Sequence, residues 1–155
     1  MRDRVADDGK DTLMTSILVA TDGSAGANRA IEAAAEIAKA LACNLLIVTV
    51  ADLLLGEELR QLPQTGVSTG DVLEALTSRT LRSAEACARH LGVLQVEVRT
   101  AWGDVTRSLL DTAVNSSAKM IVIGRRGRGQ LAGLPLGSVS QKLVSLAPCP
   151  VLVVP

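Results

Sequence analysis

With 155 residues, 48% of them hydrophobic and 21% charged, the chain has the length of one domain and enough apolar side chains for a packed core, which excludes disorder as its main state. Sixteen acidic and sixteen basic residues cancel, and Trp102 is the only aromatic residue. A nucleic-acid partner is therefore not expected, since duplexes want a broad basic face and single strands want aromatic platforms.

No apolar run reaches the length of a membrane span, and Met1–Asp8 lacks the apolar core of a signal peptide, so a cytoplasmic protein without a membrane partner is expected. Cys43, Cys87 and Cys149 are odd in number, far apart and set among apolar neighbours. They read as reduced core residues, not as a disulfide frame or a zinc site. All sixteen acids lie at or before Asp111, while the last part of the chain carries five bases and no acid. Three of those bases, Arg125, Arg126 and Arg128, fall within four residues of a glycine-rich stretch. A local basic loop on a neutral protein suits a small anionic ligand.

In chain order, residues 1–15 are polar and without period, which predicts a mobile tail before a domain at 16–155. Ser16–Thr21 is an apolar run of strand length that ends in the turn residues Asp22–Ser24. Ala27, Ala30, Ile31, Ala34, Ile37, Ala38 and Leu41 recur at helical spacing. A second strand is expected at Leu45–Ala51 and a long flexible connection at Asp52–Thr69. Asp71–Leu91 reads as a helix, with Asp71 and Glu74 spaced as a capping pair and Gly92 placed to end it. Gln95–Ala101 alternates polar and apolar residues, as an edge strand does. Asp104–Ser116 is expected to be helical, Lys119–Ile123 a fourth strand, Ser138–Leu146 a fourth helix and Val151–Val154 a final strand. Trp102 is expected to pack, and Cys149 to sit in the core.

Five strands alternating with four helices predict an α/β fold, a doubly wound parallel sheet with helices on both faces. Ligands of such sheets bind beyond the carboxyl ends of the strands, where strand order reverses. In the order 3-2-1-4-5, Asp22–Ser24 after strand one adjoins Gly124–Gly129 after strand four, and the pocket lies between them.

The most informative segment is Gly124, two residues, Gly127, nine residues, then Gly137 and Ser138. It is no Walker A loop, since no Gly-Lys-Ser/Thr follows, and Gly133 comes one residue too late for the dinucleotide fingerprint. The loop does follow a strand and precede a helix, where backbone amides and a helix amino-terminus hold phosphate. Ser138 and Gln141 also have capping-box spacing. The lone His90 sits near a helix end and takes no catalytic role. No Ser/His/Asp set, metal-ligand cluster or water-activating carboxylate stands out, so binding is better supported than turnover.

This segment resembles the nucleotide-binding signature of the universal stress protein family. The resemblance runs over 16–155, through Ile17–Ser24, Trp102–Asp104, Gly137–Ser140 and Pro148–Val154. It implies a Rossmann-like, adenine-nucleotide-binding sandwich that binds ATP, with Mg or Mn, and forms a homodimer through its last strand. By the same resemblance Asp22 sits by the nucleotide, Val50 gives backbone contacts to adenine, and Gly124, Gly127, Gly137 and Ser138 hold ribose and phosphates. Ile123, Val139 and Ser140 fall beside them. Charge alone adds Arg126 as a phosphate contact, with Arg125 and Arg128 beside it. The expected role is a stress-response regulator with at most slow hydrolysis. A slow ATPase or autokinase, and a nucleotide-free dimeric interaction module, are the alternatives.

Overall fold

The computed structural model describes residues 15–52, 54, 68–128 and 135–155. The tail expected at 1–15 (apart from Thr15), nearly all of the connection at 52–69, and Gly129 and Gly133 of the glycine loop lie outside the described residues.

Five strands, β1 (Ser16–Ala20), β2 (Asn44–Val50), β3 (Val96–Ala101), β4 (Ala118–Gly124) and β5 (Val151–Val154), form one parallel sheet in the order β3-β2-β1-β4-β5. Between them run α1 (Ala25–Ala40), α2 (Thr69–His90), α3 (Val105–Asn115) and α4 (Ser138–Leu146). This is the expected α/β architecture and strand order. The central strand explains itself: every residue of β1 is buried, because helices cover both faces of the sheet. Successive β1 side chains feed opposite cores. Ile17 and Val19 pack with Ile31 and Ala34 of α1, Leu81 of α2, Ile47 and Val122. Leu18 and Ala20 pack with Leu109 of α3, Leu143 of α4, Val48 and Ile121. The face that α1 turns to the sheet carries Ala27, Ala30, Ala34, Ala35 and Ala38, small residues that let the helix backbone lie close to the strands. A third, smaller cluster of Ala51, Leu54 and Leu73 sits where α2 begins.

Helix ends show where local spacing misleads. α2 is capped by Ser68, whose hydroxyl accepts from Gly70 N at 3.2 Å. The helix thus starts two residues earlier than the Asp71–Glu74 pair implied, and Asp71 sits in the first turn, where its charge complements the helix dipole. Gly92 does end that helix: its φ is +90° and its N–H donates to Arg89 O at 2.9 Å. The capping box at Ser138 and Gln141 does not form. Gly137 is the cap residue and Ser138 lies inside the helix, so its hydroxyl is one position too late to serve.

Trp102 does not pack as expected. It is 61% exposed, since it lies one residue beyond the end of an edge strand. Its carbonyl is anchored by the Ser108 hydroxyl at 2.9 Å, and the indole stays outside. The cysteines are free thiols at the margins of the two cores, only partly buried. Burial raises the pKa of Cys87, with Glu32 adding to it, and burial likewise raises that of Cys149 against a lowering backbone hydrogen bond from Ile121. In both, the shift disfavours the reactive thiolate. Among the described residues no helix is long and apolar enough to cross a membrane.

Candidate functional site

β1 lies between β2 and β4, so the connections leaving β1 and β4 diverge to opposite faces of the sheet. A cavity of about 170 Å³ opens at their carboxyl ends. β1 brings Ala20, Thr21 and Asp22 to it, and β4 brings Ile123 and Gly124. The glycine loop adds Arg125–Arg128, and the first turn of α4 adds Ser138, Val139 and Ser140 after Gly137. Ala27 of α1 and Leu109 of α3 complete the apolar wall. Nine of the ten site residues named from sequence therefore converge: Asp22, Ile123, Gly124, Arg126, Gly127, Gly137, Ser138, Val139 and Ser140. Val50 stands apart. It is buried at the end of β2, paired with Ala101 and packed into the core cluster of Leu109, one strand away from the cavity lining.

Asp22 is 6% exposed and is held from two sides. Its Oδ1 accepts from Ser24 N at 2.9 Å, and its Oδ2 accepts from Arg128 N at 3.0 Å. Arg128 Nε also donates to the Asp22 carbonyl at 2.7 Å. The acid after β1 is thus bonded to the loop after β4. Each carboxylate oxygen has a second lone pair and can take a further donor from a ligand.

The glycines are where backbones meet. A Cβ on Gly124 would lie 2.8 Å from Gly26 C, and a Cβ on Gly26 would lie 2.9 Å from Arg126 O. The loop rests directly on the first turn of α1, and only hydrogen side chains permit that contact. At Gly127 a Cβ would come within 2.5 Å of Asp22 Oδ2. None of these three positions has a positive φ, so all three glycines answer to close approach and not to backbone conformation. Sequence reasoning missed Gly26. The available signal was a glycine just inside a helical pattern, which costs helix stability unless another element needs the room.

α4 begins without a side-chain cap: Gly137 has φ −70° and ψ 162° and has no side-chain oxygen to offer the helix. The first amides of α4 have no partner within the helix, and they border the cavity. The loop is fastened to this helix start by Gly137 N donating to Arg125 O at 2.9 Å. Ser140, 2% exposed, aims its hydroxyl at Arg125 O and Gly137 O, each at 3.0 Å. Its role here is to tie loop to helix. Arg125 N in turn donates to Val154 O of β5 at 2.6 Å.

An uncapped helix amino-terminus and three arginines attract an anion, while Ala20, Leu109, Ile123 and Val139 offer an apolar wall. That combination suits a ligand with a weakly polar part and a negatively charged tail. Among the described residues no three of His, Cys, Asp and Glu gather as metal ligands.

The universal stress protein family matches residues 14–155. A universal stress protein of Thermus aquaticus is 34% identical over 148 residues, covering 92% of this chain and 99% of that protein. A universal stress protein solved in complex with cAMP superposes with a TM-score of 0.71 at 28% identity, covering 91% of this chain and 97% of that one. The Archaeoglobus fulgidus universal stress protein in complex with dAMP superposes at 0.68 with 25% identity, covering 92% and 99%. Sequence and fold agree, and the chain belongs to the universal stress protein family.

Proposed function

We propose that this chain binds an adenine nucleotide, ATP foremost, in the cavity between β1 and β4, and that it acts as a nucleotide-dependent regulator in a stress response. The observation that carries the reading is the meeting of an uncapped helix start, an arginine-rich glycine loop and an apolar wall on one cavity. The cAMP and dAMP complexes of related proteins support an adenine nucleotide over other anionic ligands. Gly124, Gly127, Gly137 and Ser138 would hold ribose and phosphates, with Arg126 adding charge, and Asp22 would accept from a ribose hydroxyl or the adenine amine. Val50 contributes through its backbone at most.

A divalent ion fits only as part of the nucleotide. Among the described residues Asp22 is the single acid lining the cavity, and both its oxygens already accept backbone N–H groups. Mg²⁺ or Mn²⁺ would be held mainly by phosphate oxygens and water, as Mg²⁺ commonly is. Among the described residues the cavity lining holds no histidine and no acid besides Asp22, which supports hydrolysis that is slow at most. The domain at 16–155 would assemble as a cytoplasmic homodimer along β5.

Heat extraction of the purified protein tests the reading at once. An adenine nucleotide should be released in close to equal proportion with protein. If the extract is empty, and millimolar Mg-ATP leaves the melting temperature unchanged, the chain uses this fold for assembly alone.

A further inference from the structure

Arg128 reaches back from the glycine loop to the turn after β1. Its Nε donates to the Asp22 carbonyl at 2.7 Å while its own backbone N–H donates to the Asp22 carboxylate at 3.0 Å. Its guanidinium lies over Gly23: a Cβ there would meet Nη2 at 3.3 Å and the Thr80 methyl of α2 at 3.5 Å. Gly23 has a φ of +76°, so the turn needs glycine for its backbone and gives the guanidinium its seat. One side chain thus joins the glycine loop to the turn after β1. The side-chain bond goes to a carbonyl, the one acceptor on Asp22 that stays put whichever way the carboxylate rotates.

We infer that Arg128 is a positioning residue, which holds the glycine loop down on the turn after β1 and fixes the Asp22 carboxylate for ligand, in place of contacting phosphate itself. The inference rests on the proposed nucleotide site. A charge this close to an anion pocket is naturally read as a phosphate ligand, and the two roles differ in what they predict. A positioning residue acts on the shared part of every ligand. A phosphate ligand acts more strongly as phosphates are added.

Lysine separates the roles further. It keeps the charge but places its nitrogen one bond farther from the backbone than Nε, and it lacks the planar fork.

The test is calorimetric titration of adenosine, AMP and ATP into the parent protein, Arg128→Ala and Arg128→Lys. Amide exchange is measured at Ser24, whose N–H donates to Asp22, in each ligand-free protein. The expected result is a loss of about tenfold in both variants, equal for all three ligands, equivalent to about 1.4 kcal/mol. Ser24 should exchange faster in both variants. A loss that grows from adenosine to ATP and is restored by lysine would assign Arg128 to phosphate and overturn the inference, as would parent-like affinity in both variants. If the parent protein binds none of the three, the nucleotide reading itself fails. The clasp is then judged by exchange alone, and an unchanged Ser24 rate in the variants overturns it.

Discussion

At Gly127 one hydrogen atom separates the glycine loop from a carboxylate. A Cβ would stand 2.5 Å from Asp22 Oδ2, so Gly127→Ala must rotate that carboxylate away and break its bond from Arg128 N. The displaced group is the end of a side chain, not backbone, so the fold should lose only about 1 kcal/mol, the typical net worth of a hydrogen bond. Nucleotide affinity should fall by more than that. Paired denaturant and binding titrations check it: equal losses in both would make Gly127 a purely structural residue. The spacing of Gly124, Gly127, Gly137 and Ser138 was legible in the sequence as a phosphate-binding pattern, because a motif is a local feature of the chain. That Asp22, 105 residues before Gly127, adjoins this loop was legible from the strand order. The atomic partners were not: nothing local reports that Gly124 meets the backbone of Gly26 or that Gly127 faces Asp22 Oδ2. Ser138 misled for a related reason. Capping-box spacing fits Ser138 and Gln141, but the helix begins one residue earlier than a serine cap requires.

Among the elements, the contact between α1 and the loop after β4 sets the site. Gly26 and Gly124 meet backbone to backbone, which brings the start of α1 against the loop. Helix propensity alone would have Gly26→Ala stabilise α1. The structure predicts the opposite sign, because a Cβ there stands 2.9 Å from the backbone oxygen of Arg126 and the loop must lift. Overpacking of this kind costs about 1–3 kcal/mol. Chemical denaturation should show a lower midpoint at an unchanged slope, and a raised midpoint would mean that the loop does not rest on α1. Strands and helices themselves were readable from periodicity, since burial on one or two faces writes a period of its own. Trp102 was misjudged although β3 was legible as an edge strand ending at Ala101: whether another element covers the next side chain is settled by tertiary packing, and here the indole is left exposed.

For the molecule as a whole, the β5 edge of the sheet is apolar and only partly covered. Val151–Val154 are all partly exposed, and Val144 and Leu146 of α4 are 52% and 61% exposed. An apolar edge with open backbone groups invites pairing, and two β5 strands meeting across a twofold axis would cover both. A homodimer is the expected state. Val153→Lys, a charge on the edge strand, should halve the mass seen by light scattering at micromolar concentration; a parent protein already monomeric would dismiss this assembly.

The nucleotide site itself is tested most directly by calorimetric titration of Mg-ATP into the parent protein and Gly137→Asp side by side. Asp is a good helix cap, and its Cβ needs Arg125 O, 3.3 Å away, to move only slightly, so the variant should keep its fold and mass. Its carboxylate would stand where phosphate oxygens belong. At about 4 Å and an effective dielectric of about 20, one like-charge pair costs on the order of 4 kcal/mol. Even half of that, after screening, is nearly thirtyfold in affinity. The parent should bind ATP and the variant should lose it by that factor or more. No heat of binding in the parent, or equal affinity in both, would contradict the placement of an adenine nucleotide at the glycine loop.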